Sequence, residues 1–106
     1  MTDAALVSAF EAATLPPAGF HHREHVRLAW IYLQRYGRAE TERRLLDGLR
    51  ALAVRAGKPD KFDAALTRAW LRRIEEVAAD AAASSSEAFI AMHPELLAPL
   101  PAVPSP

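Results

Sequence analysis

An all-α, single-domain bundle of about five helices with short loops is the fold that this 106-residue sequence predicts, and three observations carry the prediction. Apolar residues recur every three or four positions through most of the chain, the spacing that lays one helix face against a core. Most glycines and prolines fall between these stretches, where helices end. No segment alternates apolar and polar residues with the period of two that a strand needs.

The first helix is expected over residues 3–14, with Leu6, Val7, Phe10 and Ala13 inward and Pro16-Pro17 stopping it. A second helix should begin at His21 or His22 and end at Gly37, with Val26, Ala29, Trp30 and Leu33 as its stripe. Residues 39–56 repeat the pattern, with Leu45, Leu49, Leu52 and Ala53 inward and Gly57-Lys58-Pro59 as the close. The fourth helix is placed at about residues 61–82, capped by Asp60, with Phe62, Leu66, Ala69, Trp70, Ile74 and Val77 as its apolar face. After Ser84-Ser85-Ser86, Ser86 is expected to cap a short fifth helix carrying Phe89, Ile90 and Met92, and Pro94 to open a last turn with Leu96 and Leu97. His93 reads as a turn residue. Residues 1–98 form the helical domain, and residues 99–106, rich in proline, are expected to be an extended or disordered tail.

Composition narrows the function. Thirteen basic and thirteen acidic residues cancel, which leaves no field to gather nucleic acid or an anionic membrane surface. Cysteine is absent, so disulfides, thiolate metal sites and a cysteine nucleophile are excluded. The first helix has neither a basic leader nor a long apolar run, so a cytoplasmic protein without a signal peptide or membrane span is expected.

The chemistry concentrates at Phe20-His21-His22-Arg23-Glu24-His25, which holds three of the four histidines. On a helical wheel of about 100° per residue, His22 falls inside the stripe of Val26, Ala29 and Leu33 and His25 on its flank. A helix start opposes protonation of imidazole, favouring the neutral form that binds metal or acts as a base. The plainer reading is that one ring caps the helix or bonds a carbonyl in the Pro-rich turn while the others meet solvent. The same run fits H-x-x-E-H, an inverted zinc-protease motif, but the motif stands at a helix start after Pro16-Pro17, in a chain too small for such an enzyme.

A two-histidine site wants an anionic third ligand, and Asp63 falls roughly 40° from the centre of the fourth helix's apolar face. His22, His25 and Asp63 are therefore the candidate ligands of a divalent metal such as zinc, iron, nickel or copper. Trp30, Thr67, Trp70 and Arg73 are candidates to shape the pocket around that metal or around a small polar molecule. Against this, Asp63 could simply favour a helix N-terminus, Arg73 could snorkel to water, and both tryptophans could be core. Arg43, Arg44, Arg50 and Arg55 read as a solvated face.

The succession Phe20-x-His22-x-x-His25-Val26-Arg27-Leu28-Ala29-Trp30, Gly48-Leu49-Arg50, Lys61-Phe62, Thr67 and Pro94-Glu95-Leu96-Leu97 resembles a group of small bacterial helical proteins with no established activity. The resemblance runs from Phe20 to Leu97. It implies a shared helical fold and a site at His22 and His25, with His21 a bystander. Where that group has His-Glu in the first turn of the fourth helix, this chain has Asp63-Ala64, and where the group continues into a Tyr-rich stretch this chain ends in prolines.

The expected function is thus a polar pocket between the starts of the second and fourth helices, binding a divalent metal or a small polar ligand. Any catalysis there would be metal-assisted hydrolysis or oxygen chemistry at an open coordination position. The alternative is a non-enzymatic helical interaction module, a homodimer by default, with structural histidines. A third reading makes the P-x-x-P spacing of Pro101-Ala102-Val103-Pro104 the working part.

Overall fold

The structure, a computed structural model, describes residues 1–15, 20–79 and 83–98. These form helices α1 (Asp3–Glu11), α2 (His22–Tyr36), α3 (Arg38–Arg55), α4 (Ala64–Ala78) and α5 (Ser86–Met92), with 3₁₀ turns at Pro59–Lys61 and Pro94–Leu97. No strand occurs among the described residues. None of the described helices is long and apolar enough to cross a membrane. The expected tail at 99–106, its P-x-x-P segment and the last residues expected of the fourth helix lie outside the described residues.

Helix α2 is the axis of the molecule, packed by α1, α3, α4, α5 and the Pro94–Leu97 turn. Its sequence suggested one apolar stripe, yet every residue from Val26 to Tyr32 is buried, Arg27 included. A helix surrounded on nearly all sides loses its solvent face, and the wheel then stops separating inside from outside. The link to α3 is Gly37 alone, at φ +78°, where a side chain would be strained.

The helix ends show how local chemistry sets the boundaries. Thr2 caps α1, its Oγ1 accepting from the Ala5 amide at 3.1 Å. The helix stops at Glu11, three residues short of the expected end, in a reversed turn where the Thr14 amide donates to the Ala9 carbonyl and that of Ala13 to the Phe10 carbonyl. That turn puts Ala13 at φ +55°, a left-handed conformation that an alanine side chain disfavours. The end of α3 uses the same pair of bonds, Lys58 to Ala53 and Gly57 to Val54, with glycine at the left-handed position.

Two boundaries differ from expectation. Asp60 lies in the Pro59–Lys61 turn, and Asp63 is the residue that caps α4, its Oδ1 accepting from the Leu66 amide at 3.0 Å. Ser85 rather than Ser86 caps α5, accepting from the Ala88 amide.

The core joins Leu6 and Phe10 of α1 to α2, Leu45 of α3, Trp70, Leu71 and Ile74 of α4, Phe89 and Ile90 of α5, and Leu96. Leu49, Leu52 and Ala53, expected inward on α3, are only partly buried, and Leu66 of α4 is half exposed. These departures coincide in space, because all four residues line one cavity.

A buried polar knot ties the two ends of the described chain together. Arg27 donates from Nε to Ser86 Oγ at 2.8 Å and from Nη2 to the Met1 carbonyl at 2.7 Å and Asp3 Oδ1 at 3.2 Å. Glu87 lies 3.2 Å from its Nη1, and Asp3 also accepts from the Ser86 amide at 3.0 Å. Burial pushes the Asp3 carboxyl up, but the Ser86 and Arg27 bonds outweigh it and hold the group below its ordinary value.

Candidate functional site: a cavity at the start of the central helix

The start of α2 is fixed by its own side chain: Glu24 Oε1 accepts from the His21 amide at 3.1 Å. This bond commits Glu24 to the backbone and removes the water-activating role that the H-x-x-E-H pattern would give it. With His21 outside the helix, His22 and His25 stand about one turn apart on one face.

The two rings have different environments. His22 Nε2 lies 2.8 Å from the Leu96 carbonyl, an oxygen that can only accept, so Nε2 carries the hydrogen and the neutral ring keeps its lone pair on Nδ1. Its face meets Trp70, with ring centroids 4.1 Å apart. His25 stands edge-on to His22 at 5.9 Å between centroids. Its Nε2 is inaccessible to solvent and has no hydrogen-bond partner among the described residues. Burial, and secondarily the neighbouring His22, pull the His25 pKa down from 6.5 to about 4, so its ring is neutral near pH 7.

Both rings line a cavity of about 360 Å³. Leu49, Leu52, Ala53 and Ala56 of α3 form one wall, and Phe20 and Phe62 contribute aromatic faces. Phe62 lies under Arg50, whose guanidinium carbon is 5.2 Å from the ring centroid. Helix α4 supplies Leu66, Thr67 and Trp70, its capping residue Asp63 joins them, and Lys58 and Lys61 stand just before and at the end of the Pro59–Lys61 turn. The walls are mainly hydrocarbon.

The structure thus gathers five of the seven residues singled out in the sequence: His22, His25, Asp63, Thr67 and Trp70 share this cavity. Asp63 does so differently from the wheel, which assumed a helical residue pointing inward. At φ −129° and ψ 100° it precedes the helix, it is exposed, and one carboxylate oxygen is spent on the cap. Thr67 is buried, its hydroxyl donating to the Asp63 carbonyl at 3.0 Å. Trp30 and Arg73 do not line the cavity. Trp30 is core, stacked on Phe89 with centroids 5.9 Å apart. Its Nε1 and the Nε of Arg73 are buried without partners among the described residues.

Sequence reasoning passed over the Leu96 carbonyl, because a backbone acceptor 74 residues away leaves no mark in side-chain identity. It also passed over Lys58 and Lys61, although a short turn between two helices that share a site is a place to look. A second cavity, about 290 Å³ around Glu11, Tyr32 and Arg44, has its polar groups already paired: Tyr32 Oη donates to Glu11 at 3.0 Å and Arg44 approaches the same carboxylate at 3.1 Å.

Among the described residues, no group of three or more histidine, aspartate or glutamate side chains is arranged to hold a metal ion. No known protein family, curated protein or solved structure matches the chain, so the geometry of the site carries the functional argument.

Proposed function

We propose that this protein is a small-molecule binding protein whose cavity takes a compact, largely apolar molecule bearing one hydrogen-bonding group opposite His25. The observation that supports this reading most directly is the cavity wall itself, mainly hydrocarbon with the imidazole of His25 among its lining. Neutral imidazole can accept or donate a hydrogen bond, so a hydroxyl or carbonyl on a bound molecule pairs with it. The hydrocarbon walls give the affinity, and the cavity falls at the small end of the ~300–1,000 Å³ range of ligand pockets.

The test uses 4-methylphenol and 1,4-dimethylbenzene, two probes of one shape that differ by a hydroxyl. Nuclear magnetic resonance of the histidine rings and the Trp70 indole should register both, with the phenol bound more tightly. His25→Leu should erase the difference. Unmoved His25 and Trp70 signals at millimolar concentrations of both probes would overturn the reading.

A second reading, a divalent metal held by His22, His25 and Asp63, is favoured by the Leu96 carbonyl. Metal-binding histidines commonly donate their other ring N–H to such an acceptor, which fixes the tautomer and leaves the opposite nitrogen for the ion. Zinc titrated into the protein by calorimetry checks it: stoichiometric uptake lost in both His22→Ala and His25→Ala would establish the metal, and the absence of measurable heat would dismiss it.

A further inference from the structure

We infer that the molecule bound in this cavity is an organic acid, its carboxylate held at the mouth by Lys58 and Lys61; the inference rests on the cavity being a ligand site. The two lysines are three apart across the 3₁₀ turn Pro59–Lys61, and the Lys61 amide donates to the Lys58 carbonyl at 3.0 Å. Lys58 immediately precedes this turn and Lys61 is its last residue. Pro59, with its fixed backbone angle, stiffens the turn that carries them. Both lysines line the cavity.

Their charges are uncommitted. Among the described residues no carboxylate lies within ion-pair distance of Lys58 or Lys61, the two lysines that line the cavity. Asp63, the acid in the cavity wall, is turned to the Leu66 amide. Lys58 and Lys61 are exposed, whereas the cavity walls contributed by Leu49, Leu52, Phe62 and Trp70 are hydrocarbon. A molecule fitted to both has a carboxylate at one end and an apolar body.

Three probes sharing one phenol body separate the head groups: 3-(4-hydroxyphenyl)propanoate, neutral 4-propylphenol, and cationic 4-(2-aminoethyl)phenol. At low salt the acid should bind about fivefold or more tightly than 4-propylphenol, the amine more weakly than either, and the advantage of the acid should shrink at high salt. The double variant Lys58→Gln, Lys61→Gln, altered only at exposed positions, should lose that advantage while keeping its affinity for 4-propylphenol. Lys58→Glu with Lys61→Glu should turn the preference towards the amine. Equal affinities for acid and neutral phenol, or an acid affinity unchanged by the glutamine pair, would overturn the carboxylate assignment and leave the cavity reading standing. Failure of all three probes to shift the His25 and Trp70 signals overturns both.

Discussion

The ring of Phe10 occupies the space that a Cβ on Gly48 would need. Phe10 is 1% exposed and packs beside Phe20 and Tyr32, with centroids 6.0 and 6.3 Å away, so moving the ring disturbs its aromatic neighbours. A glycine inside α3 is costly for the helix itself, by about 1 kcal/mol against alanine. Here it lets α1 approach closely enough to bury Phe10. Gly48→Ala is therefore expected to destabilise the protein by about 1–3 kcal/mol despite the better helix former, and urea unfolding measures the sign. A stabilised variant would contradict the packing.

Ala13 and Gly57 occupy equivalent left-handed positions, φ +55° and +73°, at the ends of α1 and α3. Only the glycine suits its place. Ala13→Gly should gain about 1 kcal/mol, since the left-handed conformation costs an L-residue roughly that much, offset in part by the freer unfolded chain. Arg55, which donates to the Ala13 carbonyl, keeps that bond in the variant. Thermal unfolding at a fixed pH is the measurement, and a lower midpoint would refute the strain.

The neutral His25 ring ties stability to pH. Its folded pKa, about 4, lies below the ordinary 6.5, so between those values the unfolded chain takes a proton that the folded chain refuses. Stability contributed in this way is whole above about pH 6.5, declines as pH falls, and is lost once pH passes about 4, by up to about 3 kcal/mol in total. His25→Leu should flatten the stability profile over that window. The Asp3 carboxyl, held below its ordinary 3.8, loses its contribution only at still lower pH, so the two effects separate. Equal slopes in the variant and the parent would show that the ring is protonated in the folded state.

Arg27 answers to partners on two other parts of the chain, and removing it leaves the partly buried Asp3 to Ser86 alone. Arg27→Met should cost about 1.5–3 kcal/mol, the usual worth of hydrogen bonds to a charged group. Replacing Asp3 by Asn in the same chain should cost less than the sum of the two single changes, because the lone carboxylate is gone. A double-mutant cycle followed by denaturant midpoints measures the coupling, and strict additivity would mean that the two side chains act independently.

The sequence made the helices legible where a boundary has its own chemistry: Gly37 and Gly57 ended helices as glycine should, and the serine run preceded α5. It misled at the start of α4, where Asp60 was read as the cap and Asp63, three residues on, holds that place. That three-residue difference moved Asp63 off the helical wheel and removed the argument for its burial. His22, His25, Thr67 and Trp70 could be placed together because each sits at a helix position whose neighbours are apolar. The Leu96 carbonyl, the contact of Phe10 with Gly48 and the partners of Arg27 could not, since each depends on backbone or side chains more than 20 residues away.

The knot at Arg27 also bears on the order of assembly during synthesis. Asp3 reaches its resting place only when Ser86, 83 residues later, can hold it. While the chain grows from a ribosome, α1 can touch α2 through Leu6 and Phe10 but cannot be latched until α5 emerges. The protein should therefore resist a protease near its first helix only after that late segment is free to pack, a transition visible by comparing released chains truncated before α5 and after residue 98.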